Sequence, residues 1–102
     1  MFGGWQVRVI HERAGFRRVL QKRFSHRVGI SAARSIVRQE LMEQCGDGIY
    51  HFVRYTEKMY KPKRSAWKPK CTEFCRVKVD HNVIRLIGPE RPATRPCDEF
   101  FG

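Results

Sequence analysis

The spacing of apolar residues in the first third of the chain predicts a helix over residues 11 to 27. Phe16, Val19, Leu20 and Phe24 recur at helical intervals, so they would form one apolar stripe along the helix surface. Basic residues fill the positions beside and opposite that stripe. We therefore expect an amphipathic, strongly basic first helix.

A second helix is predicted over residues 32 to 44. Gly29 can end the first helix in a left-handed conformation, and Ser31 can cap the start of the second. Gly46 is the expected stop signal. The apolar positions that carry this second helical period are Ala33, Ile36, Val37 and Leu41.

Beyond Gly46 the apolar period changes from helical to alternating. Residues 49 to 56 are rich in aromatic and β-branched side chains, which favours a strand. Two shorter strands are predicted at 74 to 79 and 83 to 87, joined by a turn at 80 to 82. The expected fold class is α+β, with two N-terminal helices, an antiparallel sheet of about three strands, an extended basic arm and a Pro-rich C-terminal tail.

The chain of 102 residues is long enough for one modest domain. We expect a basic N-terminal extension at residues 1 to 10 and a small α+β domain at 11 to 88. Within that domain, residues 58 to 70 lose periodicity and contain two prolines, which predicts an irregular basic arm. Residues 89 to 102 contain three more prolines and are expected to form an extended tail.

The net charge of +11 is divided unevenly along the chain. Residues 1 to 38 sum to +8, residues 39 to 57 to −3, residues 58 to 70 to +6, and residues 71 to 102 to zero. Two separated cationic blocks favour an extended polyanion as partner. Arginine outnumbers lysine by 14 to 7, and arginine forms bidentate phosphate contacts and stacks on bases, so the bias favours RNA.

The cations of both blocks are the candidate RNA contacts. In the second block they are interleaved with Tyr60 and Trp67, whose rings could stack on unpaired bases for about 1 to 3 kcal/mol each. The alternative is an ordinary solvated loop and a cationic face on an ordinary helix pair. The candidate RNA-binding residues are Arg17, Arg18, Lys22, Arg23, Arg27, Arg34, Arg38, Lys58, Tyr60, Lys61, Lys63, Arg64, Trp67, Lys68 and Lys70.

The four cysteines form no convincing metal-binding motif. Cys71 and Cys75 have a spacing seen in zinc sites, but no second close pair follows. The chain shows no secretory signal, so we expect reduced structural thiols, no metal and no other cofactor. If a structural zinc were bound, Cys71 and Cys75 would be its first ligands, joined by Cys97 and by His81 or Cys45.

Neither catalysis nor a transmembrane segment is predicted. The sequence has no glycine-rich phosphate loop, no nucleophile elbow and no His/Glu pair at metal-binding helical spacing, so we expect no enzyme. Its apolar runs are far shorter than the roughly 20 residues that span a bilayer. Residues 1 to 38 are Arg-rich and almost free of acids, as in mitochondrial targeting segments. A mitochondrial location is predicted, with a cytoplasmic one as the alternative.

These features lead to two functional hypotheses. The first is a non-catalytic, structural RNA-binding subunit of a large ribonucleoprotein, with a ribosome and in particular a mitochondrial ribosome as the main candidate. Its neutral C-terminal tail would contact neighbouring proteins of the assembly. The second is an accessory subunit of a mitochondrial respiratory or ATP-synthase complex, whose cations would face acidic subunits or lipid headgroups.

Overall fold

The structure is a computed structural model that describes residues 7–20, 24, 28–55 and 70–101. Within these residues, six strands form one antiparallel sheet, and one main helical segment packs on it. That segment runs from α1 through a π-helical stretch into α2. The elements are β1 (Val7–Arg13), β2 (Phe16–Leu20), α1 (Ile30–Ile36), the π-helical stretch (Val37–Leu41), α2 (Met42–Cys45), β3 (Gly48–Tyr55), β4 (Lys70–Asp80), β5 (Val83–Gly88), β6 (Ala93–Pro96) and α3 (Cys97–Phe101).

The strands are ordered β2-β1-β3-β4-β5 across the sheet, and β6 pairs with β4. β4 is the longest of these strands, and its edge away from β3 pairs with two strands. Its first four residues, Lys70 to Glu73, pair with β6, and its second half, from Arg76 to Asp80, pairs with β5. The C-terminal region is therefore part of the sheet.

The main core lies between the sheet and the helical segment. From the helical segment, Ala33, Ile36, Val37 and Leu41 are buried against the sheet. These four residues are the apolar stripe that the sequence predicts, and their burial explains why the segment is helical here. The sheet contributes Val7, Val9, Tyr50, Phe52, Cys75, Val77 and Val79 to this core.

A smaller core lies on the opposite face of the sheet, at one end. There α3 places Cys97 and Phe100 against Ile10, Val53 and Cys71. A disulfide joins Cys71 in β4 to Cys97 at the start of α3. The C-terminal segment is therefore fixed to the sheet both by packing and by a covalent bond.

The predicted first helix is wrong. Over residues 11–20, the described part of that range apart from Phe24, the chain forms the end of β1 and all of β2, joined by a tight turn at Ala14 and Gly15. Both turn residues have positive φ, at 50° and 85°, as two-residue hairpin turns require. Phe16 is 81% exposed and is not part of an apolar stripe. A few apolar residues spaced three or four apart also fit two short strands, so their spacing was ambiguous.

The fold class is corrected accordingly. In the described part of the chain, the structure is a mostly antiparallel six-stranded sheet with a main helical segment of 16 residues and the short helix α3, and not two N-terminal helices with a sheet of about three strands. The predicted second helix is present, and it ends before Gly46 as expected. Residues 7–10 begin β1, and residues 93–101 form β6 and α3.

Gly48 permits the close pairing of β3 with β1. Its φ of 137° is a conformation that L residues rarely adopt. A Cβ atom at this position would lie 2.5 Å from the Glu12 carbonyl oxygen and 2.6 Å from His11 Nε2. The absence of a side chain therefore allows β3 to start directly beside Glu12 in β1.

Candidate functional site

We call the sheet surface opposite the helical segment the open face, because among the described elements only α3 covers part of it. Strand register places five residues of the open face directly opposite one another across five strands. Three of them are exposed cations, one on each edge strand and one on β4. From β2 to β5, this row is Arg17, Glu12, Ile49, Lys78 and Arg85.

A β-bulge in β4 adds further polar residues to the open face. Phe52 pairs with Cys75 and Val53 pairs with Glu73, so Phe74 is the extra residue. In a regular strand, residues three apart lie on opposite faces. The bulge reverses this relation, so Glu73 and Arg76 lie on the same face.

Hydrogen bonds connect these residues across three strands. His51 Nδ1 donates to Glu73 Oε2 at 2.7 Å, and His51 Nε2 donates to Glu12 Oε1 at 2.7 Å. Arg76 donates through Nε and Nη2 to the two carboxylate oxygens of Glu73, both at 2.8 Å. Arg17 Nε lies 4.0 Å from Glu12 Oε2. We call Glu12, His51, Glu73 and Arg76 the polar network.

The geometry of the polar network determines its charges. Ionised carboxylates only accept hydrogen bonds, so with both glutamates ionised, His51 donates from both ring nitrogens and carries a positive charge. Burial raises the pKa of the Glu73 carboxyl, but hydrogen bonds from Arg76 and His51 lower it by more, to about 2. The same contact with Glu73 raises the pKa of Arg76. Two cations therefore balance two carboxylates within the network.

Solvent exposure increases from one end of the polar network to the other. The side chain of Glu73 is 6% exposed and that of His51 14%, whereas that of Glu12 is 43% exposed. Glu73 is thus a buried anchor that fixes the ring of His51 and the guanidinium of Arg76. Glu12 lies at the solvent-facing end of the network, beside Arg17.

The structure separates the predicted RNA-binding residues that it describes. Arg17 lies on the open face, but Arg18 points to the opposite side of the sheet and donates to Cys45 Sγ at 3.6 Å. Arg34 and Arg38 are exposed on the helical segment, on the other side of the molecule. These described residues do not form a single surface.

Lys70 is also described, and it is the exposed first residue of β4. The remaining predicted contacts lie outside the described residues, and they stay predictions. They are Lys22, Arg23, Arg27, Lys58, Tyr60, Lys61, Lys63, Arg64, Trp67 and Lys68.

Sequence reasoning missed most of the open face. Arg76, Lys78 and Arg85 belong to residues 71 to 102, whose net charge is zero, and none of them was among the predicted RNA-binding residues. The alternation of Arg76 and Lys78 with Cys75, Val77 and Val79 was the available signal, because it places both cations on one face of a strand. Glu12, His51 and Glu73 carried no local signal, since their proximity depends on strand register.

The candidate zinc ligands are not brought together. Cys71 and Cys97 form the disulfide, so the expectation of reduced thiols is wrong for these two residues. Cys75 is a free thiol buried in the core on the other side of the sheet, and burial raises its pKa to about 11. Cys45 is also a free thiol and is half-buried.

His81, the fourth candidate, lies in the turn between β4 and β5. Its ring lies near the carboxylates of Asp47 and Asp80, and one ligand atom from each of the three residues fits within 4.8 Å. This is a donor set that divalent metals accept. All three are at least partly exposed, however, and nothing beyond their proximity indicates an ion, so we assign them no ligand.

No protein-family model, curated protein or solved structure matches this chain. In the part of the chain that the structure describes, no helix is both long enough and apolar enough to cross a membrane.

Proposed function

We propose that this protein binds RNA through the open face of its sheet. The observation that carries the proposal is the cross-strand row in which Arg17, Lys78 and Arg85 are exposed. Cations on a sheet surface can neutralise successive phosphates. Of the open-face carboxylates, Glu12 is hydrogen-bonded to His51 and Glu73 to Arg76, and Asp80 lies 2.8 Å from the ring of His81.

The shape of the open face favours a single strand over a duplex. Neighbouring strands are about 4.8 Å apart, so Arg17 and Lys78, three strands apart, are separated by roughly 14 Å across the sheet. A single nucleic-acid strand could lie across this width. The major groove of a DNA duplex admits a helix or a two-stranded ribbon, and the RNA major groove is narrower still. A sheet of this width does not fit into either groove.

The wider setting remains a proposal from composition and charge. Arg34 and Arg38 provide a second exposed basic area on the helical side, which would suit a subunit lying between RNA segments of a ribonucleoprotein. A ribosome is the assembly that we favour, and a mitochondrial location stays a prediction. The disulfide between Cys71 and Cys97 favours an oxidising compartment over a reducing one, because such bonds persist mainly in oxidising environments.

Fluorescence anisotropy with a labelled single-stranded RNA tests the proposal on the full chain. The variant K78Q/R85Q removes two cations from the open face, and R34Q/R38Q removes two from the helical segment as a charge-matched control. We expect about a tenfold or greater loss of affinity for the first variant and a clearly smaller loss for the second. Equal losses would mean that total charge, and not the open face, governs binding.

Two competing ligands complete the experiment. A duplex of the same sequence should compete less well than the single strand. Vesicles containing cardiolipin represent the alternative partner, an anionic lipid surface. If the protein binds these vesicles and not RNA, the proposal is wrong.

A further inference from the structure

We infer that the open face also cleaves the RNA that it binds, with Glu12 and His51 as the general base and general acid. The inference rests on the proposed function, because it requires RNA on the open face. RNA carries its own nucleophile, the 2′-hydroxyl next to each phosphate. A protein site therefore needs only a base, an acid and a cation near the phosphate.

The open face places these three kinds of group next to one another. The carboxylate of Glu12 and the imidazolium of His51 are in contact, at 2.7 Å. Arg17 Nε lies 4.0 Å from Glu12 Oε2, and Arg76 is the cross-strand partner of His51. A phosphate docked over Glu12 would therefore meet a carboxylate, an imidazolium and two guanidinium groups.

Glu73 is the positioning residue in this arrangement. Its buried carboxylate accepts the Nδ1 proton of His51, so Nε2 is directed toward Glu12. A buried carboxylate behind a histidine fixes the ring orientation and stabilises the imidazolium, as in hydrolytic triads. The lowered pKa of Glu73 fits this role, because the carboxylate stays ionised over the whole neutral range.

The reaction is a transesterification that needs no other reactant. The Glu12 carboxylate takes the proton of the 2′-hydroxyl, and the 2′-oxygen attacks the adjacent phosphorus. The bond between phosphorus and the 5′-oxygen breaks, and His51 Nε2 gives its proton to the departing oxygen. The products are a 2′,3′-cyclic phosphate and a 5′-hydroxyl, while Arg17 and Arg76 contact the phosphoryl oxygens during the step.

Fold stability does not by itself account for the buried carboxylate. Taking a charge out of water is costly, and apolar residues of similar volume often serve a fold as well as or better than a buried ion pair. Glu73 is nevertheless buried. It lies in β4 between Cys71 and Cys75, each two positions away, and both of these residues are apolar and buried. Perturbed titratable groups of this kind concentrate at functional sites.

This inference departs from the sequence-based expectation of no enzymatic activity. That expectation relied on contiguous motifs. Here the base and the acid are 39 residues apart, and the acid and its positioning carboxylate are 22 apart. No local motif contains such a set, because three strands contribute to it.

The test compares two single-stranded oligonucleotides of one sequence, an RNA and its fully 2′-deoxy counterpart, with the full chain. We expect cleavage of the RNA in the presence of EDTA, and mass spectrometry should detect 2′,3′-cyclic phosphate ends. The 2′-deoxy strand should be bound but not cleaved, because it lacks the nucleophile. Glu12→Gln and His51→Gln should each lower the rate by about 100-fold or more.

Controls separate the inference from contamination and from misfolding. Glu12 is a partly exposed residue, so Glu12→Gln should keep the far-UV circular dichroism spectrum of the folded protein. His81→Gln, which changes a histidine outside the polar network, should cleave at the wild-type rate. Two outcomes overturn the inference and leave the proposed function unaffected. The first is RNA that is bound but stays intact, and the second is cleavage that Glu12→Gln does not slow. Absence of RNA binding overturns both.

Discussion

Glu73 and Arg76, three positions apart in β4, lie on the same face of the sheet and share two hydrogen bonds of 2.8 Å. The bulge at Phe74 makes this contact possible, because a regular strand would direct the two side chains to opposite faces. The bulge thereby places a carboxylate on the open face, where it also accepts a hydrogen bond from His51. One irregular residue thus links the strand geometry to the chemistry of the candidate site.

The first prediction concerns the dependence of stability on pH. The pKa of Glu73 is about 2 in the folded protein, below its ordinary 4.5. A lowered carboxyl pKa stabilises the fold at pH values above the ordinary one, and this contribution is lost as pH falls toward 2. At neutral pH we expect Glu73→Gln to lower the free energy of unfolding by about 2 to 3 kcal/mol.

Urea denaturation of the two proteins between neutral and acidic pH measures this effect. The difference in unfolding free energy between wild type and Glu73→Gln should shrink as pH decreases below about 4.5. Glu90→Gln, which changes an exposed carboxyl, is the control and should differ little from wild type at any pH. A constant difference for Glu73→Gln across this range would contradict the assignment.

The second prediction concerns the disulfide between Cys71 and Cys97. The bond joins residues 26 positions apart, so its loss should lower the free energy of unfolding by about 3 kcal/mol. Without reductant, the denatured protein should titrate two thiols, those of Cys45 and Cys75, and after reduction it should titrate four. Titration of four thiols in protein kept under oxidising conditions would rule out the bond.

A matched pair of variants isolates the effect of the bond from that of the side chains. Cys97→Ser removes the bond and should shift the urea midpoint to a lower concentration, with or without reductant. Cys45→Ser changes a half-buried free thiol and should keep a midpoint that decreases when reductant is added. If reductant has no effect on the wild-type midpoint, the disulfide does not stabilise the fold.

The helical part of the fold could be predicted because its signals are local. The apolar positions Ala33, Ile36, Val37 and Leu41 face the sheet as their spacing indicates, and Gly46 ends the segment with a φ of 78°. Strands β3, β4 and β5 were also predictable from alternation, with errors mainly at their ends. These elements each contain enough residues to define a period.

The hairpin of β1 and β2 could not be recognised in the same way. Its five-residue second strand has exposed or half-buried side chains, so burial does not impose an alternating pattern on it. Its turn uses Ala14 in a left-handed conformation, which is unusual for alanine. The register that brings Glu12 to His51 is that of β1 with β3, so the candidate site was missed together with strand β1.

The third prediction concerns the salt dependence of RNA binding. Each phosphate contact on a single strand contributes about −0.7 to the slope of log affinity against log salt concentration. If Lys78 and Arg85 each contact a phosphate, K78Q/R85Q should reduce the magnitude of the slope by about 1.4. Anisotropy titrations at several salt concentrations give the slope directly. A weaker affinity with an unchanged slope would indicate an indirect effect of the substitutions.

The fourth prediction concerns Gly48 at the start of β3. Alanine there would adopt an unfavourable φ of 137° and place its Cβ 2.5 Å from the Glu12 carbonyl oxygen, which is backbone and cannot rotate away. We expect Gly48→Ala to lower the free energy of unfolding by about 2 to 4 kcal/mol. Gly29→Ala is the control, because a Cβ there meets nothing within 4 Å, and it should change stability by less than about 1 kcal/mol.

Hydrogen exchange locates the strain that Gly48→Ala introduces. Since the conflict at Gly48 is with the β1 backbone, Gly48→Ala should lose protection from hydrogen exchange in β1 and β3 more than in β5. Uniform loss across all strands would instead indicate that the strain is not local to this pair.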